Sequence, residues 1–193
     1  MKGLFAYIFN GFKNGKDVEN TSEKLFLKAL VCYCRETGLK MDFSKLEIKK
    51  NKKGKPYIKD SDLHYNISHS DKFWVCVISN EPVGIDIQIA TNSKFEKISK
   101  RYFTDEENDY VIVGGKEAFF QIWTIKEAYT KFLGESIFNI IDKVETVKNG
   151  LILNEIRGVK IKILDLSKYT LCENLKCTVA FKKDEEICIR TLI

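Results

Sequence analysis

The 193-residue chain has only two prolines, two histidines and eleven glycines, and no run of serine or glutamine. That scarcity excludes a collagenous segment, a mucin-like stalk and a long flexible linker, so the whole chain is expected to fold. No apolar stretch approaches the roughly 20 residues of a membrane-spanning helix, and no membrane partner is expected. Leu4 to Phe9 is apolar but short, with no small-residue cleavage site before Asn10 and Gly11, so a secretion signal is not expected and the cytoplasm is the expected compartment. Six cysteines form no Cys-x-x-Cys pair, and His64 and His69 are not spaced with them for zinc. They read as reduced, mostly buried thiols.

What is present is enough for a core: 44% of residues are hydrophobic, and the length fits one or two compact domains. The formal net charge of +5 is concentrated. Between Lys45 and Lys59 stand seven lysines (45, 49, 50, 52, 53, 55 and 59) and one acid, Glu47, which leaves the remainder close to neutral. A local cluster points to a phosphate-bearing ligand or an acidic partner at one place, or simply to a solvated lysine loop. A nucleic-acid module would interleave stacking aromatics, and Leu46 to Lys59 holds only Tyr57, so no nucleic-acid partner is expected.

Along the chain, Leu4 to Phe9 reads as a strand. Asn20, Thr21 and Ser22 offer N-cap oxygens for a helix carrying Leu25, Phe26, Ala29, Leu30 and Tyr33, stopped by Gly38. Asn66-Ile-Ser-His-Ser70 reads as a loop, Phe73 to Ser79 and Val83 to Ile89 as strands broken by Glu81-Pro82. Thr104 with Glu107 has the capping-box arrangement for a short helix that ends at Gly114-Gly115. Lys116 to Leu133 reads as the longest helix, and Leu151–Leu153, Val159–Leu164, Cys177–Phe181 and Ile187–Leu192 as strands. The order predicts an α+β fold. Its helix-then-strands pattern occurs twice, which fits two similar halves, residues 1–82 and 83–193.

Three stretches exceed what a core requires. Asp86 stands between isoleucines in an apolar strand, where a carboxylate is costly unless a cation or donors meet it. On the long helix, 100° steps put Ala118, Ile122, Ile125, Tyr129 and Phe132 on one stripe and Phe120, Trp123, Glu127 and Lys131 opposite, so both faces are expected to be covered. Glu127 and Lys131, four apart, can reach a common ligand, whereas Lys126 points about 100° away. The Asn66 to Ser70 stretch concentrates donors suited to phosphate oxygens, and with Lys53-Gly-Lys-Pro56 before it reads as a cationic phosphate cradle.

In sequence order, Lys53-Gly-Lys-Pro56, Asn66-Ile-Ser-His-Ser70, Pro82-Val-Gly-Ile-Asp-Ile87, Arg101-Tyr-Phe-Thr-Asp-Glu-Glu107 and Trp123-Thr-Ile-Lys-Glu-Ala-Tyr-Thr-Lys131 resemble the surfactin-type (Sfp-like) 4′-phosphopantetheinyl transferases. The resemblance spans residues 53 to 131. It implies two pseudo-symmetric α+β halves with the active site in the cleft between them, binding coenzyme A and Mg²⁺, with Mn²⁺ as an alternative. It implies transfer of the phosphopantetheine arm of coenzyme A to a serine of an apo acyl or peptidyl carrier protein, with release of 3′,5′-ADP, by a monomer. The pathway served would be fatty acid, polyketide or nonribosomal peptide biosynthesis. By residue, it implies Asp86, Glu127 and Gln88 at the metal, Glu127 as base with Lys131 near the pyrophosphate, and Lys55, Pro56, Ser68, His69, Lys126 and Lys131 at the coenzyme.

A pyrophosphate repels an attacking alkoxide, so the reaction needs charge neutralisation and a base, which two acids and a lysine can supply together. Two departures stand out. Gln88 occupies a position where the family often has a second acid, and the early helix lacks the usual arginine near its start, with Lys24 and Lys28 as candidates to replace it. The Gln88 departure keeps open a non-catalytic homologue that binds coenzyme A or a carrier protein.

Overall fold

The computed structural model describes residues 3–13, 18–92, 94–183 and 185–193. Strand β1 (Leu4–Asn10) leads to helix α1 (Val18–Thr37), the short strands β2 (Ile48–Lys50) and β3 (Pro56–Ile58), and then β4 (His64–Ser70), β5 (Phe73–Ser79) and β6 (Val83–Ile89). Helices α2 (Phe95–Tyr102) and α3 (Asp105–Leu133) follow. The chain ends with β7 (Val147–Lys148), β8 (Leu151–Ile152), β9 (Glu155–Ile156), β10 (Val159–Ile163), β11 (Leu175–Phe181) and β12 (Ile187–Thr191). No described helix is long and apolar enough to cross a membrane.

Two four-stranded sheets, in the orders β12-β1-β5-β4 and β6-β11-β10-β9, carry the fold. The period-2 alternation of their strands builds the layers. Phe5 and Tyr7 of β1 and Trp74, Cys76 and Ile78 of β5 pack with Leu25, Phe26, Ala29, Leu30 and Tyr33 of α1. The alternate residues, Leu4, Ala6, Ile8, Phe73, Val75 and Val77, meet Val83, Ile85 and Ile87 of β6 and Cys177 and Val179 of β11 between the sheets. On the far side of the second sheet, Ile125, Ala128 and Tyr129 of α3 pack on Val159, Ile161 and Ala180. The chain's last strand, β12, pairs in parallel with β1, so the first sheet takes its edge from beyond residue 83.

Several local expectations meet a physical reason for change. Helix α1 begins at Val18, ahead of the polar Asn20 to Ser22 run, and the Ser22 hydroxyl instead accepts a 2.8 Å hydrogen bond from the Trp74 indole. The Thr104–Glu107 capping box is formed in both directions. Beyond it α3 does not end at Gly114-Gly115: it continues through a kink at Gly115, whose φ of 63° and ψ of −149° need no side chain. Gly134 then closes the helix in the left-handed conformation.

Gly84 serves contact rather than conformation. A Cβ there would fall well inside contact distance of the Ala128 carbonyl oxygen and the Phe132 nitrogen, so only glycine lets α3 lie this close on β6. That close approach sets Lys131 on Asp86 and brings Glu127 within reach of its charge.

The Asn66 to Ser70 stretch, expected as a loop, is strand β4. Its Tyr65 faces the α1 core, while Asn66, Ser68 and Ser70 face the open edge of β6. The Ile85 N–H donates to Asn66 Oδ1 at 2.8 Å, Ile87 N–H to Ser68 Oγ at 3.4 Å and Ile89 N–H to Ser70 Oγ at 3.0 Å. Side chains of one sheet thus satisfy edge donors of the other, which would otherwise be buried without partners.

Candidate active site at the seam of the two sheets

Asp86 lies on the face of β6 opposite Val83, Ile85 and Ile87, under α3, and is 1% exposed. A carboxylate so enclosed must be compensated. Its Oδ1 accepts from Lys131 Nζ at 2.6 Å and from the Ser68 hydroxyl at 2.7 Å, and Lys131 Nζ also lies 3.0 Å from Ser68 Oγ. Gln88 Nε2 stands 3.5 Å from Asp86 Oδ2. Across the sheet Thr178 sits opposite Asp86, its hydroxyl 2.9 Å from that of Thr124 on α3.

Glu127, one turn before Lys131, is half-buried. Burial raises its carboxyl pKa above the ordinary value, and the Asp86 charge raises it further against the pull of Lys131. His69 points to the other side of β4 and is exposed, its ring 5.0 Å from that of Phe12. Partial desolvation of the imidazole and then the Lys131 charge lower its pKa, with Asp86 opposing. Asp86, Glu127, Lys131, Ser68, Gln88 and His69 therefore form one electrostatic neighbourhood, drawn from β4, β6 and α3.

Two residues expected at the coenzyme, Lys126 and Lys55, have protein partners in the structure. Lys126 is fully buried, 2.9 Å from the equally buried Glu107, and donates to the carbonyls of Ile141 and Val144. Glu107 in turn accepts from the N–H and hydroxyl of Thr146 and caps Thr104, so the pair ties α3 to the following loop. Lys55 Nζ is bonded to three backbone carbonyls, of Val83, Lys131 and Phe132, and its ammonium is not turned to the Asp86 cluster. Pro56 opens β3 beside it and is half-buried.

The lysine-rich stretch is also less free than its composition suggests. Lys45 pairs with Asp42 at 3.5 Å, Lys49 and Lys59 with Glu47 at 3.1 and 2.9 Å, and Lys53 with Glu135. A cleft of about 1270 Å³ is lined by residues around Lys45, Lys59 and Glu81 and does not include Asp86, Glu127 or Lys131.

The donor set around Asp86 suits a hard divalent cation. The carboxylate oxygens of Asp86 and Glu127 and the amide oxygen of Gln88 are hard oxygen donors. No group of three or more His, Cys, Asp or Glu residues able to hold a metal occurs among the described residues, so two carboxylates would leave most positions to phosphate oxygens and water. Sequence reasoning named Asp86, Glu127 and Lys131 but gave no part to Thr124 or Thr178. Only the inter-strand register reveals these.

The α+β fold thus brings Asp86, Lys131 and Ser68 together at the seam of its two sheets, with Glu127 one helical turn away. The comparisons are specific. The 4′-phosphopantetheinyl transferase superfamily model matches residues 82–180, more than half of the chain, and the chain belongs to this family. It is 37% identical over 136 residues to the 4′-phosphopantetheinyl transferase gsp of Aneurinibacillus migulanus, covering 67% of this chain and 56% of that protein. It is 32% identical over 102 residues to the 4′-phosphopantetheinyl transferase Sfp of Bacillus subtilis (strain 168), covering 50% and 45%. With 4′-phosphopantetheinyl transferase HetI of Nostoc sp. it shares 34% over 95 residues, covering 44% and 40%. The chain spans about half the length of the curated relatives it matches.

Proposed function

We propose that the protein transfers the 4′-phosphopantetheine arm of coenzyme A to a serine hydroxyl of an apo acyl or peptidyl carrier protein, dependent on Mg²⁺ and with release of 3′,5′-ADP. The observation that carries this reading is the Asp86–Lys131–Ser68 cluster with Glu127 one helical turn away. In the reaction the serine oxygen bonds to the β-phosphorus, the pyrophosphate bridge breaks, and the serine proton passes to a base. Glu127 is that base, its carboxyl pKa raised by burial in the metal-free protein. Lys131 sets its positive charge where the departing 5′-phosphate of 3′,5′-ADP gathers negative charge. Ser68 shares the Lys131 ammonium with Asp86 and suits a coenzyme phosphate, and the exposed His69, on the other side of β4, is offered as a second phosphate contact.

Asp86 and Glu127, with Gln88 alongside, would hold the cation, Mg²⁺ or Mn²⁺, which neutralises pyrophosphate oxygens when bound. Gln88 brings no charge, so a shell built here leans more on substrate oxygens than one with a third acid.

The test is to incubate the chain with coenzyme A, Mg²⁺ and a panel of apo carrier proteins and to follow each carrier by intact mass. Gain of one phosphopantetheine supports transfer. Binding of coenzyme A by calorimetry with no gain on any carrier would favour the second reading, a non-catalytic coenzyme A or carrier-protein binder, which Gln88 alone favours.

A further inference from the structure

Lys55 differs from the ion-paired lysines around it. Its Nζ donates to the carbonyl oxygens of Lys131 at 2.6 Å, Phe132 at 3.1 Å and Val83 at 3.2 Å. The first two lie in the last turn of α3, where carbonyls lack the regular helical donors, that of Lys131 accepting the Gly134 N–H at 3.3 Å, and a cation meets the negative end of the helix dipole. The third is the first residue of β6.

The sequence around Lys55 is built to deliver it there. Asn51 Oδ1 accepts from the backbone N–H groups of Lys53 and Lys55 at 2.9 and 3.0 Å, and Gly54 turns with φ of +83°. The aliphatic stem of Lys55 lies against Gly134, and Lys53 pairs with Glu135 one residue further on. Two lysines of one hairpin thus fasten it to the end of α3.

The consequence falls on Lys131. Its carbonyl is held by Lys55 while its side chain spans to Asp86 and Ser68. The same ammonium grips the start of the strand that carries Asp86. We propose that Lys55 is a positioning residue, clamping the last turn of α3 to the start of β6 so that the Lys131 ammonium is held on Asp86. Its kinetic consequence rests on the transferase reading; the clamp itself does not.

The test has two arms. In the first, lysine ammonium signals are recorded by ¹⁵N NMR on the full chain and assigned by their loss in Lys131→Met and Lys55→Arg. In Lys55→Met the Lys131 signal should broaden or move toward that of a solvated lysine, and an unchanged Lys131 signal would overturn the proposal. Coenzyme A added to the wild-type chain should leave the Lys55 signal in place, and its displacement would overturn the clamp in favour of a phosphate contact. This titration needs no variant that fails to fold. In the second arm, Lys55→Met should lower kcat about tenfold or more while KM for coenzyme A stays within about twofold. It should add little in a Lys131→Met background, and Lys55→Arg should restore most of kcat. A raised KM with kcat kept, or equal losses in both backgrounds, would refute the positioning role. Absence of transfer by the wild-type chain sinks the transferase reading instead, and the ammonium signals still decide the clamp.

Discussion

Gly84→Ala perturbs the contact on which the whole site depends. The added methyl would lie 3.0 Å from Phe132 Cα and closer still to the Ala128 carbonyl oxygen and the Phe132 nitrogen, all helix backbone that cannot rotate away. Carbon atoms rest at about 3.5–4.0 Å, so α3 must retreat from β6 by roughly 1 Å. Overpacking of this kind costs about 1–3 kcal/mol. For a chain of this size that is about 2–4 °C in Tm per kcal/mol. The functional loss should be larger than the thermal one, because Glu127 and Lys131 ride on the displaced helix and a misplacement of 1 Å costs on the order of a hundredfold in rate. Thermal unfolding followed by circular dichroism, with transfer kinetics on the same preparation, measures both. A Gly84→Ala protein with wild-type Tm and wild-type kcat would show that α3 does not lie on β6 as described.

Three further outcomes are expected. In metal-free protein, Asp86→Asn should lower the Glu127 pKa and Lys131→Met should raise it, since the Asp86 charge pushes it up and the Lys131 charge pulls it down; carboxyl-carbon NMR titration checks both signs, and an unmoved Glu127 in both variants would separate it from the cluster. Lys126→Met should destabilise by about 3–5 kcal/mol by stranding the buried Glu107 charge, measured by urea unfolding; a change below about 1 kcal/mol would contradict the buried pair. Asn66→Ala should cost about 1–3 kcal/mol by leaving the Ile85 N–H without an acceptor, read as a lower urea midpoint together with faster amide exchange at Ile85.

The chemistry-bearing residues were more legible in the sequence than their packing. Phe73–Ser79 and Val83–Ile89 are found at their expected bounds, because Glu81-Pro82 interrupts two dense apolar runs. Glu127 and Lys131 follow from helical spacing, and Asp86 is conspicuous as a lone charge among isoleucines. Strand β4 was hidden because its inward residues, Asn66, Ser68 and Ser70, are polar. They face the unpaired N–H edge of β6 rather than apolar core, which erases the usual alternation. Composition records charge and not direction, so Lys55 reads as a phosphate ligand in the sequence, and only the fold shows its ammonium turned to the end of a helix. Lys126 likewise needed the distant Glu107, nineteen residues earlier, to explain a lysine in the core. The return of β12 to β1 is a pairing across nearly the whole chain, and no local pattern announces it.

The central claim is that phosphopantetheine transfer occurs at the Asp86–Glu127–Lys131 cluster. The most direct measurement compares the wild-type chain with Glu127→Gln, recording carrier mass gain and released 3′,5′-ADP together in the presence of coenzyme A and Mg²⁺. The account predicts equal amounts of the two products from the wild type, and a rate about a hundredfold or more lower from Glu127→Gln with its fold unchanged. Transfer by Glu127→Gln at the wild-type rate would contradict it.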